Sequence, residues 1–276
     1  KYLEESPNSF SLRGQNVKAT VFFSDIANFT GIGESLPPED LTRLLNLYLT
    51  PITNCIIDSG GYLDKYVGDG VMAVWGAPYP DPGHAINACK SAIEQQKIIE
   101  QLNSTVMNDF RARIHVRMGI GSGIVTAGNM GSEKKFQYTV IGDVVNLAAR
   151  LEPSNKDFGT AIIIDHSTRA LIGDAFTVRL LGRIVVVGKT EAVPIYELLG
   201  YAVEMDGASL DLVDKYETAF KLFCNREWHN SNAVLDTILS EHNDGPSRRL
   251  KAQIAYYQSH SPDDSWKGEY FRTDKY

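Results

Sequence analysis

The sequence predicts an α+β fold built on a ferredoxin-like βαββαβ core with additions, and three observations carry that prediction. Between residues 17 and 200, strand-like and helix-like patterns follow in the order β-α-β-β-α-β instead of alternating strictly. Two short β-type runs flank Gly68-Asp69-Gly70, and an Asp-Gly step between such runs is a strong hairpin signal, because the central turn residues must accept positive φ. After about Gly200 the β signals stop and three helical patterns close the chain.

Taken in order, residues 1–16 are polar and irregular and read as a lead-in. A strand is predicted over 17–24, where Val17, Ala19, Val21 and Phe23 share one face by the period of two. Asp25 follows on the same parity. A loop carrying Gly31 and Gly33 leads to a helix opened by Pro37 and Pro38, with Glu39 and Asp40 in its first turn, where the helix dipole favours acids. Leu41, Leu44, Leu45, Tyr48, Leu49 and Ile52 give it an apolar stripe, and it ends near Asp58, before Gly60-Gly61. Strands are predicted over 62–67 and 71–75 and a second helix over 83–103. A strand pair is predicted over 114–121 and 124–127, turning at Ser122-Gly123. An extended run over 136–141 precedes a helix over 144–151. A buried strand at 161–164, a short helix at 167–172 and closing strands at 176–187 and 194–199 complete this part. Helices are predicted at 210–223, 231–240 and 246–259, where Trp228, Ala233 and the Asp244-Gly245-Pro246 break are weakly tetratricopeptide-like. About one and a half such repeats cannot bury their own apolar faces, so this segment should pack on something else. The domains expected are therefore 1–16, 17–200 and 201–276.

With 276 residues, 43% of them hydrophobic and 22% charged, the chain has enough apolar material for a sizeable core. No run reaches the roughly 18–20 apolar residues of a membrane span, and residues 1–10 contain no stretch of signal-peptide type. No membrane contact is expected within this chain, and a sensor or membrane region outside it stays open. The net charge of −7 argues against a nucleic-acid coat, while leaving room for one small anionic ligand held by metals or local cations. Cys55, Cys89 and Cys224 are odd in number and far apart, which fits neither a disulfide framework nor a zinc site; a reducing, cytoplasmic compartment is expected.

Four features stand out as chemistry. Asp25 ends an apolar strand face, where a carboxylate is costly unless paired or bound to a metal. Taken alone it reads better as a turn cap. Asp69 also follows an apolar strand, and two carboxylates at adjacent strand ends can hold two divalent cations about 3.5–4 Å apart. Lys65 shares a face with Leu63 and Val67, an unusual setting for an ammonium unless it snorkels to the edge or meets a partner such as an acceptor on a base. Asn146 and Arg150 lie four apart on a predicted helix and so share a face, suiting a ribose hydroxyl and a phosphate, the plainer alternative being a pairing of Arg150 with Glu152.

Three stretches together resemble class III adenylate and guanylate cyclases. Phe-Ser-Asp-Ile-Ala-Asn-Phe-Thr (23–30) resembles the first metal motif of that family, Asp-Lys-Tyr-Val-Gly-Asp-Gly-Val-Met-Ala-Val-Trp-Gly (64–76) the second, and Tyr-Thr-Val-Ile-Gly-Asp-Val-Val-Asn-Leu-Ala-Ala-Arg-Leu-Glu (138–152) the third, in the family's order across roughly 15–200. The resemblance implies the class III nucleotidyl cyclase fold and an adenylate cyclase that converts ATP to 3′,5′-cyclic AMP and pyrophosphate. It implies that Asp25 and Asp69, with the Ile26 carbonyl, hold two Mg²⁺ or Mn²⁺ ions per site. It also implies that backbone amides of Ile26, Ala27, Asn28, Phe29 and Thr30 receive the β and γ phosphates. Lys65 and Thr139 occupy the purine-selecting positions, where guanylate cyclases usually carry Glu and Cys; the Thr form resembles the subclass often reported as bicarbonate-responsive. Asn146 would orient the ribose, Arg150 would stabilise charge at the α-phosphate, and Lys189 would contact the terminal phosphates, although Val187 stands where the family usually has a further lysine. Because the family's sites form between two catalytic domains, a head-to-tail homodimer with two composite sites is implied. No side chain is marked as general base; the metal, the substrate or water could serve. The alternatives are a guanylate cyclase, which Lys65 disfavours, and a degenerate cyclase fold acting as a sensing or dimerisation module, which the intact Asp25, Asp69, Lys65, Asn146 and Arg150 argue against. No Gly-Gly-Asp/Glu-Glu-Phe hairpin of a diguanylate cyclase is present, and the glycines at 119, 121 and 123 are followed by a strand pattern and so do not form a dinucleotide loop.

Overall fold

A run of twelve residues alternating across both faces makes β1 (Gln15–Ile26) the strand around which the first part of the molecule is built. The computed structural model describes residues 14–105, 107–110, 112–132, 134–185, 192–263, 266 and 268–271. Contacts divide the chain into two units, Lys1–Glu152 and Pro153–Tyr276. In the first, β1 is followed by α1 (Phe29–Ser35), α2 (Pro38–Asp58), β2 (Tyr62–Val67), β3 (Gly70–Trp75), α3 (His84–Ser104), β4 (Val116–Ser132), β5 (Lys135–Ile141) and the first part of α4 (Asp143–Phe158).

The strands of this unit run in the order β2-β3-β1-β4, all antiparallel, with β5 paired to β4. That is the order a βαββαβ chain adopts when each helix carries it back across the sheet, as the sequence pattern predicts. β1 pairs with β3 from Thr20↔Trp75 to Ser24↔Val71 and with β4 from Gln15↔Ala127 to Ile26↔Val116. Being central, it is buried on both faces. Ala19 and Val21 pack with Met72, Val74, Val125 and Ala148, while Phe22 meets Trp75 edge to face at 6.0 Å. The buried Thr20 hydroxyl is satisfied by His84 Nδ1 and Ser122 Oγ, each at 2.7 Å. The stripe read on α2 is its buried face, with Leu44, Tyr48, Ile52 and Ile56 fully covered.

Several local expectations are corrected. Asp25 lies inside β1 and not beyond its end, and the segment after it forms the short helix α1, entered through Asn28 in the left-handed region (φ 58). Ser122-Gly123 is no turn: β4 runs unbroken for 17 residues. Its glycines serve close packing, since a Cβ at Gly119 would lie 2.3 Å from the Glu152 amide nitrogen and one at Gly123 2.6 Å from a Val144 methyl. α4 extends past the predicted 151 to Phe158, through Pro153. The 68–70 turn has Val67 opposite Gly70, so its two central residues are Gly68 and Asp69; the positive φ falls on Gly68 (65°), and Asp69 needs none.

The second unit contains β6 (Ile162–Asp165), α5 (His166–Ile172), β7 (Phe176–Val185), β8 (Ala192–Tyr201), α6 (Gly207–Cys224), α7 (Trp228–Glu241), α8 (Gly245–Ser259) and β9 (Glu269–Phe271). Strand order here is β6-β8-β7-β9, and β9, which the sequence did not announce, pairs parallel to β7. The three closing helices share an aromatic-rich core of Tyr216, Phe220, Phe223, Leu235, Ile238, Leu250, Ile254 and Trp266. They pack on β7, as their small size requires: the Tyr216 hydroxyl donates to the Leu181 carbonyl, and the buried Arg179 of β7 binds Glu197 of β8 and Asp244, which caps α8. All three cysteines are free thiols. Among the described residues no helix is long and apolar enough to cross a membrane.

Candidate active site

The end of β1 and the β2–β3 turn meet because β1 and β3 are neighbours in register, Ser24 opposite Val71. The approach needs a glycine at 70: a Cβ there would lie 2.8 Å from the Ser24 carbonyl oxygen and 3.5 Å from Asp25 Oδ1. Asp69 reaches across to accept the Ile26 amide at 3.0 Å, and its carboxyl group is within hydrogen-bonding reach of Asp25. Burial first, then the charge of Asp25, push the Asp69 carboxyl up to about 6. Ser24 and Tyr48 lie buried beneath the pair, and burial raises the Tyr48 phenol well above its usual range.

Two carboxyl groups held together in a half-buried setting repel each other once both are ionised, and a divalent cation removes that cost. The donor set fits one: hard carboxylate oxygens beside a strand-end backbone. Among the described residues no group of three or more His, Cys, Asp or Glu gathers elsewhere or here, so an ion at Asp25 and Asp69 would complete its shell with backbone oxygen, water or phosphate. Because the Asp69 value in the fold lies above the ordinary carboxylate value of 3.8, the ion-free protein loses stability as pH rises between those two values. Mg²⁺ or Mn²⁺ is therefore expected to raise the thermal midpoint at about pH 7.5. That gain should vanish as pH falls through about 6 and Asp69 takes up its proton. An equal gain at about pH 5 would remove Asp69 from the ligands.

Arg117 was not singled out from the sequence. It stands opposite Asp25 in the β1–β4 register, its Nη2 3.0 Å from Asp25 Oδ2 and its Nε 2.9 Å from Glu152 Oε1. The signal was present: an arginine between Val116 and Met118 on a central strand is as anomalous as Asp25 itself. Glu152, weighed above as a partner for Arg150, is thus engaged by Arg117.

Of the amides expected to receive phosphate, that of Ile26 is donated to Asp69 and that of Ala27 to the His115 carbonyl at 2.7 Å. Asn28, Phe29 and Thr30 stand at the start of α1, where helix geometry leaves amides without partners inside the helix. Lys65 and Thr139 come together through a residue between them, Asp64, which accepts the Thr139 hydroxyl at 2.5 Å and lies 3.2 Å from Lys65 Nζ. The predicted alternation of β2 fails at this point, because a bulge falls between Leu63 and Lys65. Asn146, exposed, and Arg150, half-buried, sit one turn apart on α4 as expected. Lys189 lies outside the described residues.

Residues 13–200 match the family described as the adenylate and guanylate cyclase catalytic domain. The chain is 34% identical over 183 residues to adenylate cyclase 1 of Rhizobium meliloti (strain 1021), a match covering 66% of this chain and 28% of that protein. It thus spans less than a third of that relative's length. Among solved structures, the adenylyl cyclase CyaB from P. aeruginosa is similar with a TM-score of 0.65 and 36% identity, covering 71% of this chain and 100% of that one. The guanylyl cyclase Cya2 gives 0.63 and 29%, covering 70% and 98%.

Proposed function

The chain belongs to the adenylate and guanylate cyclase catalytic-domain family, and from that premise we propose that it converts ATP to 3′,5′-cyclic AMP and pyrophosphate. The observation that carries this reading is the meeting of Asp25 and Asp69 at two neighbouring strand ends, with Asp69 raised by burial and by its partner's charge. Asp25, Asp69 and the Ile26 carbonyl would hold two Mg²⁺ or Mn²⁺ ions per site. Bound there, such ions lower the pKa of the ribose 3′-hydroxyl and neutralise the triphosphate.

The remaining work falls to this chain's own groups. The 3′-oxygen attacks the α-phosphorus in line, and charge grows on the phosphoryl oxygens and the leaving pyrophosphate. Arg150 supplies fixed positive charge to the first and Lys189 to the second. Asn146, on the same helix face as Arg150, orients the ribose, and the amides opening α1 at Asn28, Phe29 and Thr30 bind the β and γ phosphates. Lys65 donates to N1 of adenine, an acceptor that guanine lacks at that position. Catalysis is assigned to 17–200, with 1–16 as a lead-in and 201–276 as a helical extension. The carboxylate half and the transition-state half of one site come from two protomers, so the working form is a head-to-tail homodimer with two sites, and a monomer is inactive.

The guanylate alternative turns on Lys65 and Thr139. The purified chain should turn over ATP in preference to GTP under Mn²⁺ and Mg²⁺. Changing Lys65 to Glu together with Thr139 to Cys should reduce that preference by at least about tenfold, the lower end of the roughly 1–3 kcal/mol that a good pair of hydrogen bonds to a base edge contributes to discrimination. Unchanged selectivity would sink the purine assignment, and absence of any turnover would sink the activity.

A further inference from the structure

We infer that Asp64 sets the hydrogen-bond polarity of the purine pocket, and so is a positioning residue for the choice of adenine over guanine. This rests on the reading of Lys65 and Thr139 as the purine-selecting pair. Asp64 would ordinarily alternate with Lys65 to opposite faces of β2. The bulge breaks that alternation: Leu63 faces Ala73 and Lys65 faces Met72 on β3, leaving Asp64 without a ladder partner. Its side chain is 0% exposed, whereas Lys65's is 40% exposed. The position is clamped from β5, where the Gln137 side-chain amide donates to the Asp64 carbonyl at 2.6 Å. The Tyr62 hydroxyl likewise donates to the Tyr138 carbonyl at 3.1 Å, with the two rings edge to face.

The consequence is directional. A threonine hydroxyl has one proton and two lone pairs. Thr139 gives its proton to Asp64 Oδ2, at 2.5 Å, so only lone pairs remain for a ligand. An acceptor at that place takes the exocyclic amine of adenine and opposes the carbonyl oxygen of guanine. Asp64 Oδ1 meanwhile lies 3.2 Å from Lys65 Nζ and receives no aligned hydrogen bond, so it holds the ammonium by charge while the ammonium's protons can face N1 of the base. One buried carboxylate thus fixes an acceptor and a donor side by side, the pattern complementary to adenine's N6 and N1. Full burial and the hydrogen bonds from Gln137 and Thr139 hold Asp64 in place, as selectivity by polar mismatch requires.

The test compares kcat/KM for ATP and GTP in the parent, Asp64→Asn, Thr139→Val and the double variant. It adds dissociation constants for non-cyclisable ATP and GTP analogues, which report the same preference without turnover. Asp64→Asn keeps the shape, but its amide can donate to Thr139 and release the hydroxyl proton toward the base. The ATP preference should fall at least about tenfold, as in Thr139→Val, with no further loss in the double variant. Should Asp64→Asn fail to fold, Thr139→Asn decides. Its amide can donate to Asp64 and show its oxygen to the base, so the ATP preference should survive; a gain for GTP overturns the inference. Parental preference in Asp64→Asn alongside its loss in Thr139→Val refutes the role of Asp64 and spares the pocket. Parental preference in both refutes the pocket reading as well.

Discussion

Asp25→Ala should lose ATP turnover by on the order of 10³-fold or more while the protein remains folded. The two halves of this expectation have separate causes. Asp25 carries no packing load: its side chain is 36% exposed, and Arg117 keeps Glu152 as a partner when Asp25 is gone. Removing it also relieves Asp69, whose raised value owes part of its shift to Asp25's charge, so the ion-free thermal midpoint should stay level or rise. Activity has no such compensation, because a lone half-buried carboxylate is a poor seat for a pair of cations. Circular dichroism and a melting curve read the first half, and cyclic AMP formation the second. A folded Asp25→Ala protein that still cyclises ATP would end the metal assignment.

The second large effect is a rescue. Arg150→Ala alone should be as silent as Asp25→Ala, because in either homodimer every site would contain one defective half. Mixed in equal amounts with free exchange, half the dimers would be heterodimers, each with one intact site and one doubly damaged site. Activity should then return to about a quarter of the parental value, as two-fold symmetry with shared sites demands. A mixture as inactive as its components would contradict the composite site, whatever the fate of the metal assignment.

How much of this was legible beforehand differs by feature. The βαββαβ order, the stripe of α2 and the hairpin were readable, because each rests on a period of 2 or 3.6 in apolar residues or on turn chemistry. Asp25 and Asp69 were readable as anomalies. The glycine at 123 misled: Ser122-Gly123 reads as a turn between two strands, and only the proximity of α4 shows that Gly119 and Gly123 make room for it. Asp64 was hidden for a related reason. Its neighbour Lys65 drew attention through strand parity, and the bulge that cancels that parity is set by pairing with β3, which no local pattern reveals. Arg117 was missed although its anomaly matched that of Asp25, since its role depends on a strand 92 positions away in the chain.

The Arg179 cluster bears on where this protein can be divided. Likeness to the cyclases stops at residue 200, yet Asp244, which neutralises Arg179 beside Glu197, lies beyond that limit. A chain ended at Gly200 would strand a guanidinium that is 2% exposed and strip the helices from β7. The family match and the packing therefore have different borders in this molecule. The segment past the family match is a structural tenant of the sheet it covers, and the two share one buried charge cluster.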